Sequence, residues 1–187
     1  MASVLLLGSV CQGIRDIQNI NLAISDLSNT VSNLPNVVPA FAQYYSSQTQ
    51  LNLGAGIATP LSYNGVFVES NISIDLLDNT IVKITNPGTY RIMTTIQMDS
   101  SGGGPSNTAN VWFAVNGNPV RYSNSVITVS NQDENIIAVE YFYTFTVPGY
   151  FQIYFESPNG QVNATAYPLT VVAPETPSVI TSVQKIA

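Results

Sequence analysis

Residues 136–156, IIAVEYFYTFTVPGYFQIYFE, predict two strands that meet at Val147-Pro148-Gly149 and differ in the number of their apolar faces. In the second strand Phe151, Ile153 and Phe155 alternate with more polar residues, a period typical of a sheet with one buried face. The first strand is apolar on one face at Val139, Tyr141, Tyr143, Phe145 and Val147, and on the other at Ile136, Ala138 and Phe142. We therefore expect the partner sheet on one side of it and another subunit or segment on the other.

Short apolar runs separated by turn residues continue from Pro60 to the end of the chain. Besides the pair above, the predicted strands are Val66–Glu69, Ile72–Leu76, Thr80–Thr85, Tyr90–Met98, Asn110–Val115, Val120–Tyr122, Val126–Ser130, Val162–Tyr167 and Val179–Ile186. The two Pro-Gly segments, at 87–88 and 148–149, have similar flanking sequences, so we expect two similar hairpins in two facing sheets. So many short strands predict an all-β fold, a single jelly-roll β-sandwich of two antiparallel sheets.

A helical pattern precedes the strands and predicts a short N-terminal helical arm. Its apolar residues follow one another at alternating spacings of three and four, which is a heptad seam: Ile17, Ile20, Ile24, Leu27, Val31 and Leu34. The residues between them are mostly poor helix formers, so the helix needs a partner, either copies of itself, its own domain or a neighbouring protein. We therefore divide the chain into an arm (1–38), a linker with a first strand FAQYYSS (39–60) and a jelly-roll domain (61–187).

Charged residues are scarce, at 9% of the chain against roughly 25% in soluble domains. A surface of Asn, Ser, Thr, Gln and Tyr loses little solvation free energy when it is buried against another protein. The net charge is −6 and only five residues are basic, scattered along the chain, so we expect no nucleic-acid partner. The opening MASVLLLG has too short an apolar run for a signal peptide, and no segment is long enough to span a membrane.

The chain has no histidine and a single cysteine, Cys11, which excludes the common nucleophile–base pairs and histidine or cysteine metal sites. We therefore expect no enzymatic activity, no cofactor and no bound metal. The acidic groups around Asp75 and Asp78 and around Asp133 and Glu134 are interpreted as turns rather than calcium sites. Glu140 and Glu156 are expected on neighbouring strands, but no cleft is predicted between them.

Aromatic residues outside the predicted core are the candidates for a subunit contact. If Val111, Phe113 and Val115 point inward, Trp112 points outward, as do Tyr150 and Tyr154 on another strand. Because aromatic residues dominate protein interfaces, the predicted contact residues are Trp112, Tyr141, Tyr143, Tyr150 and Tyr154. Sugar stacking on the outward aromatic residues stays an alternative.

Three motifs occur in an order that resembles the jelly-roll heads of the tumour-necrosis-factor and complement-globular-head superfamily. They are Asn86-Pro87-Gly88-Thr89-Tyr90, the hairpin signal Asn116-Gly117, and Val147-Pro148-Gly149-Tyr150 in an aromatic-rich strand pair. The run from Asn107 to Gly117 and the ending Pro177–Ile186 are similar to jelly-roll proteins of phages and large DNA viruses. The resemblance covers about residues 60–187, and the chain lacks the collagen-like Gly-X-Y repeat of complement proteins.

The resemblance implies a structural protein of the virion. On this basis we expect a capsid vertex (penton) or minor capsid subunit of a large DNA virus, located in the virion. It would act by self-assembly, as a pentamer or trimer, together with other virion proteins. The alternative is the trimeric jelly-roll head of a viral fibre or spike that binds a host receptor or glycan, with residues 14–34 as its stalk.

Overall fold

A computed structural model of the chain describes residues 12, 16–29, 39–101, 106–130 and 135–187. The chain divides into two compact units, residues 1–38 and residues 39–187. In the first unit, residues 16–29 are helical, and the amide of Gln12 donates a hydrogen bond of 3.0 Å to Asp16 Oδ1. Four residues of the predicted seam, Ile17, Ile20, Ile24 and Leu27, are exposed on this helix, whereas Val31 and Leu34 lie outside the described residues.

The second unit consists of short and long strands, most of which the sequence predicts. They are β1 (Phe41–Ser46), β2 (Thr59–Pro60), β3 (Gly65–Ser70), β4 (Ile72–Ile74), β5 (Val82–Ile84), β6 (Gly88–Ser100), β7 (Ser106–Val115), β8 (Asn118–Pro119), β9 (Ser125–Ser130), β10 (Asn135–Phe145), β11 (Gly149–Glu156), β12 (Val162–Ala164) and β13 (Val179–Lys185).

The strands form two sheets, and every pair of neighbouring strands is antiparallel. Sheet A has the order β10-β6-β13-β1-β3, with β12 also paired to β6. Sheet B has the order β4-β5-β11-β7-β8, with β2 also paired to β11 and β9 to β7. The predicted all-β sandwich of two antiparallel sheets is therefore confirmed.

The core lies between the sheets and is made by alternate residues of the long strands. In β6, for example, Tyr90, Ile92, Ile96 and Met98 are fully buried, and in β11 Phe151, Ile153 and Phe155 are. This two-residue period follows from the pleat, which sends successive side chains to opposite faces of a sheet. The pattern leaves the other face of each strand to the surface.

A small polar chain crosses this apolar core. The hydroxyl of Tyr63 lies 2.9 Å from Thr181 Oγ1, which lies 3.0 Å from Thr94 Oγ1. All three side chains are buried, so the hydroxyls satisfy one another where water is excluded. Thr181 is the central member, because its hydroxyl contacts both of the others.

The two Pro-Gly segments do not form hairpins, and this prediction was wrong. β5 and β11 belong to sheet B whereas β6 and β10 belong to sheet A, so each Pro-Gly segment carries the chain from one sheet to the other. The strands on either side of each segment bury their apolar residues in the same core from opposite sheets. The Asn116-Gly117 turn is a true hairpin, with Val115 opposite Asn118 and left-handed φ values of 49° and 77°.

The predicted strand Val120–Tyr122 is also absent, because these residues form a turn that folds back on β7. The Val120 N–H donates to the Phe113 carbonyl at 2.9 Å, and the Phe113 N–H donates to Ser123 Oγ at 3.1 Å. Within this turn Tyr122 has a φ of 64°, which is uncommon for a bulky residue. The Ser123 hydroxyl thus accepts the hydrogen bond of the Phe113 N–H, which the carbonyl of a paired strand would otherwise accept.

We expect Thr181→Val to lower the free energy of unfolding by about 1–3 kcal/mol, because two buried hydroxyls lose their shared partner. Urea denaturation of the purified protein measures the effect. Thr128→Val, on the exposed face of β9, is the matched control and is expected to change stability by less than about 0.5 kcal/mol. Equal stabilities for the two variants would show that the polar chain contributes nothing.

Candidate assembly surface

The outer face of β10 is largely apolar, and no described residue of 39–187 covers it. Ile136 is 70% exposed and Phe142 is 61% exposed, and Ala138 lies between them on the same face. The opposite face of β10, with Ile137, Val139 and Phe145, is buried in the core. The strand therefore has the two apolar faces that its sequence predicts, and only one of them is satisfied within the described chain.

The apolar character continues across the other strands of sheet A. β6 lies beside β10, and Met93 stands opposite Glu140 with its side chain exposed. At the far side of the sheet the rings of Tyr45 and Phe67 lie 4.5 Å apart. We define the apolar face as the outward residues Phe41, Tyr45, Phe67, Val68, Met93, Ile136, Ala138 and Phe142.

The charges that face each other on β6 and the edge strand β10 neutralise each other. Arg91 projects from β6 and Glu140 from β10, and the guanidinium Nε forms an ion pair with the carboxylate. Such an exposed pair adds little to the stability of the domain. A partner covering this face would bury a pair without net charge, which costs less free energy than burying a lone charge.

A shallow depression of about 270 Å³ lies in the middle of the face. Apolar side chains of Phe41, Val68 and Met93 line it, and the amide of Gln43 donates a hydrogen bond of 2.9 Å to Ser182 Oγ at its floor. Arg91 and Gln184 line it as well. Apolar residues around a few polar groups, with arginine among them, are typical of protein interfaces. The depression therefore fits side chains of another polypeptide.

The apolar face has the size that a stable contact requires. The five strands range from six to thirteen residues in length. At about 3.3 Å per residue and about 4.8 Å between strands, the whole outer surface of the sheet covers about 700 Å², polar residues included. Stable protein–protein interfaces bury about 800 Å² on each partner. Covering this one face would therefore supply most of an ordinary interface.

Three of the predicted contact residues lie together on the outer face of sheet B. Trp112 of β7 stands opposite Tyr154 of β11, and their rings are stacked at 5.5 Å and 10°. Tyr150 lies on the same face of β11, four residues before Tyr154. These residues are half-buried by one another and their neighbours, and they face away from the core.

The other two predicted contact residues, Tyr141 and Tyr143, are on the inner face of β10. Their rings lie 5.2 Å and 5.6 Å from the ring of Phe113, and both pack against the hydrophobic core. An outward position for Tyr141 was therefore wrong. The reason is the two-residue period, because Tyr141 and Tyr143 share the face of the buried Val139 and Phe145.

Sequence reasoning missed the part of the apolar face that lies outside β10. Phe41, Val68 and Met93 belong to three other strands, and each alone is an unremarkable exposed residue. Only the strand order brings them together, and that order depends on pairings between distant segments. The one local signal was the second apolar face of β10 itself.

The acidic groups are engaged in turns and do not form a shared site. The Asp75 carboxylate pairs with Lys83 and accepts the Leu77 N–H at 2.8 Å, and these contacts lower the pKa of Asp75. Asp78 accepts the Thr80 N–H at 3.0 Å, whereas Asp133 and Glu134 lie outside the described residues. Within the described ranges no three acidic, cysteine or histidine residues cluster as metal ligands, and no helix is long and apolar enough to cross a membrane.

Glu140 and Glu156 do not lie on neighbouring strands, so that expectation was wrong. Glu140 projects from sheet A beside Arg91, and Glu156 belongs to sheet B, where the Asn110 amide donates to it. β10 and β11 follow each other in sequence, but the segment between them passes from sheet A to sheet B. A paired-carboxylate site between these two residues is therefore excluded by the fold.

No family model matches the sequence, and no curated protein is significantly similar to it. Among solved structures, the chain is similar to murine APRIL at pH 5.0, with a TM-score of 0.50 and 6% identity over 79% of this chain and 99% of that chain. Murine APRIL at pH 8.0 gives a TM-score of 0.51 and 7% identity over the same shares. Identities this low show the fold alone. The structural similarity confirms the expected jelly roll of the tumour-necrosis-factor type.

We expect Tyr141→Phe to raise the free energy of unfolding by about 1 kcal/mol at neutral pH, because the buried Tyr141 hydroxyl has no hydrogen-bond partner among the described residues. Chemical denaturation measures the change. Tyr122→Phe, at a residue that is 97% exposed, is the control and is expected to have no effect. A loss of more than about 1 kcal/mol in Tyr141→Phe would show that the hydroxyl is well bonded.

Alkaline pH gives a second test of the same residue. Burial raises the pKa of Tyr141 to about 12, above the value of about 10 in an unfolded chain. The raised pKa favours the folded state below pH 10 and makes stability fall as the pH rises toward 12. We expect Tyr141→Phe to lose less stability than the natural protein between pH 9 and pH 11, measured by denaturation at each pH. If the variant and the natural protein had the same pH dependence, the Tyr141 hydroxyl would be exposed to water.

Proposed function

We propose that this protein is a structural subunit that assembles through the apolar face of sheet A. The observation that carries the proposal is the second apolar face of β10, which exposed apolar residues of β6, β1 and β3 extend and which no described residue of 39–187 covers. Exposed apolar residues gathered on one face of a sheet are typical of a protein–protein interaction site. Another copy of the chain is the partner that the proposal names.

A role in the virion is part of this proposal. It is supported by the resemblance of residues 60–187 to jelly-roll proteins of phages and large DNA viruses. The low charge of the chain also favours repeated contacts between identical subunits, since few charges have to leave water. We infer a capsid vertex or minor capsid subunit, located in the virion, that binds itself as a pentamer or trimer and binds other virion proteins. The role is non-catalytic.

A second candidate function is the trimeric head of a viral fibre or spike. The observation that favours it is the helix over residues 16–29, whose exposed Ile17, Ile20, Ile24 and Leu27 have the spacing of a coiled-coil seam. Isoleucine at both seam positions favours bundles of more than two helices. In this candidate the arm forms the stalk and the jelly roll binds a receptor or glycan.

We expect the double substitution Ile136→Asp and Phe142→Asp to convert the oligomer to a folded monomer, because two charges would have to be buried in the contact. Sedimentation velocity gives the mass, and circular dichroism confirms the fold. Val126→Asp is the matched control, since Val126 is 69% exposed on the outer face of sheet B. Its mass is expected to equal that of the natural protein.

An unchanged mass in the double variant would contradict the contact through sheet A. Trp112→Asp distinguishes the two sheets, because Trp112 lies on the outer face of sheet B with Tyr150 and Tyr154. A monomer from Trp112→Asp together with an oligomer from the double variant would transfer the contact to those residues. The proposal predicts the reverse pair of results.

We expect Ile24→Asn with Leu27→Asn to weaken assembly and to leave the melting temperature of the sandwich unchanged, because both residues belong to the seam of the arm. Light scattering at several protein concentrations measures the association. Leu22→Asn is the control, at a residue that is equally exposed on the same helix but outside the seam. Equal association of all three proteins would reduce the arm to a passive segment.

A further inference from the structure

We propose that a groove beside Trp112, on the outer face of sheet B, binds a short neutral saccharide. If the protein is the head of a fibre or spike, as in the second candidate function, a neutral saccharide is the ligand that the head binds. The biological role of the site rests on that function, whereas the binding itself does not. It lies on the sheet opposite the apolar face, so its occupation and the assembly of the protein are tested separately.

The groove has a volume of about 390 Å³ and runs between Trp112 and the turn at residues 119–124. Tyr154 of the neighbouring strand β11 stacks on one face of the indole. The groove lies on the other side of β7, where β8 and β9 pair with that strand. One aromatic face of Trp112 is therefore fixed by packing while its other side borders an open space of ligand size.

A chain of polar side chains forms one end of the groove. The Asn124 amide donates to Asn110 Oδ1 at 3.0 Å, and the Asn110 amide donates to Glu156 Oε2 at 2.5 Å. Among the described residues nothing donates to Glu156 Oε1 or to Asn124 Oδ1. The network thus holds three side chains in place and leaves two acceptors for the hydroxyl groups of a ligand.

The opposite wall carries an aromatic residue in a strained backbone conformation. Tyr122 is 97% exposed, its φ is 64°, and the Arg121 guanidinium lies 5.8 Å from the centre of its ring. The turn is held by Ser123, whose hydroxyl donates to the Val120 carbonyl at 2.8 Å. Left-handed backbone at a bulky residue is costly and concentrates at ligand sites, and here it presents a second ring at the groove.

These groups match the chemistry of a neutral sugar. A pyranose has an apolar C–H face, which the electron-rich face of an aromatic ring attracts, and a rim of hydroxyl groups. A hydroxyl that donates to the Glu156 carboxylate makes a charge-assisted hydrogen bond, about twice as strong as a neutral one. The same carboxylate repels sialic acids and sulfated sugars. The two asparagines favour a hydroxyl-rich ligand over an organic cation, which would need more aromatic cover.

The test uses the fluorescence of Trp112, which is the single tryptophan of the chain. The full-length protein is applied to an array of neutral and acidic glycans and then titrated with the neutral disaccharides lactose, maltose and diacetylchitobiose. Sialyllactose and choline serve as comparison ligands. We expect saturable binding of a neutral glycan with a change in Trp112 emission, and no response to sialyllactose or choline.

Glu156→Gln is expected to lower the affinity for the bound glycan about tenfold, and Asn124→Ala and Tyr122→Ala to lower it as well. Glu175→Gln, at an exposed glutamate outside the groove, is the matched control and should bind like the natural protein. Thermal melting shows whether each variant is folded. If Glu156→Gln does not fold, a folded Tyr122→Ala still tests the groove.

Failure of every neutral glycan on the array to bind would overturn the proposal. Binding of choline or of acidic glycans alone would overturn it too, and so would neutral-glycan binding that all the groove variants retain. Sedimentation of the same samples separates the two proposals. An oligomer without saccharide binding contradicts only the groove, and a monomer that binds saccharide contradicts only the assembly.

Discussion

The packing of Phe113 between the two sheets determines how the rest of the molecule is arranged. Its ring contacts Tyr141 and Tyr143 from sheet A and Phe151 from sheet B, at 5.2–5.6 Å. These contacts assign the odd-numbered residues of β10 to the core. Because side chains alternate, Ile136, Ala138 and Phe142 must then point outward. The apolar face is thus a direct consequence of core packing, since a shift of one residue would exchange the two faces.

Charge distribution separates the two outer surfaces of the sandwich. On sheet A the charges of Arg91 and Glu140 cancel as an ion pair, and the depression beside them is otherwise lined by apolar, amide and hydroxyl side chains. On sheet B no described residue donates to one oxygen of the Glu156 carboxylate, which lines the groove with Trp112 and two asparagines. The first surface suits burial against a large apolar partner, and the second suits a small ligand that donates hydrogen bonds. The proposed assembly and the proposed ligand binding would therefore use separate surfaces of one domain.

Local patterns in the sequence predicted most of the strands and the buried side of β11, because the pleat gives a two-residue period that is visible in a few residues. They also predicted the second apolar face of β10 and the Asn116-Gly117 hairpin. They failed where distant segments decide the outcome. The Pro-Gly segments cross between sheets because the strands on either side of each segment bury the same core from opposite sheets, and residues 120–122 turn because Ser123 bonds to Phe113. The neighbours that complete the apolar face are likewise set by long-range pairing.

The central claim is that the apolar face of sheet A is covered by another copy of the chain. The most direct measurement is the mass of the unmodified full-length protein by light scattering after size exclusion, over a hundredfold range of concentration. The account predicts a discrete closed oligomer, whose mass is a whole multiple of 20.1 kDa and does not grow with concentration. A single species of 20.1 kDa at every concentration would contradict it.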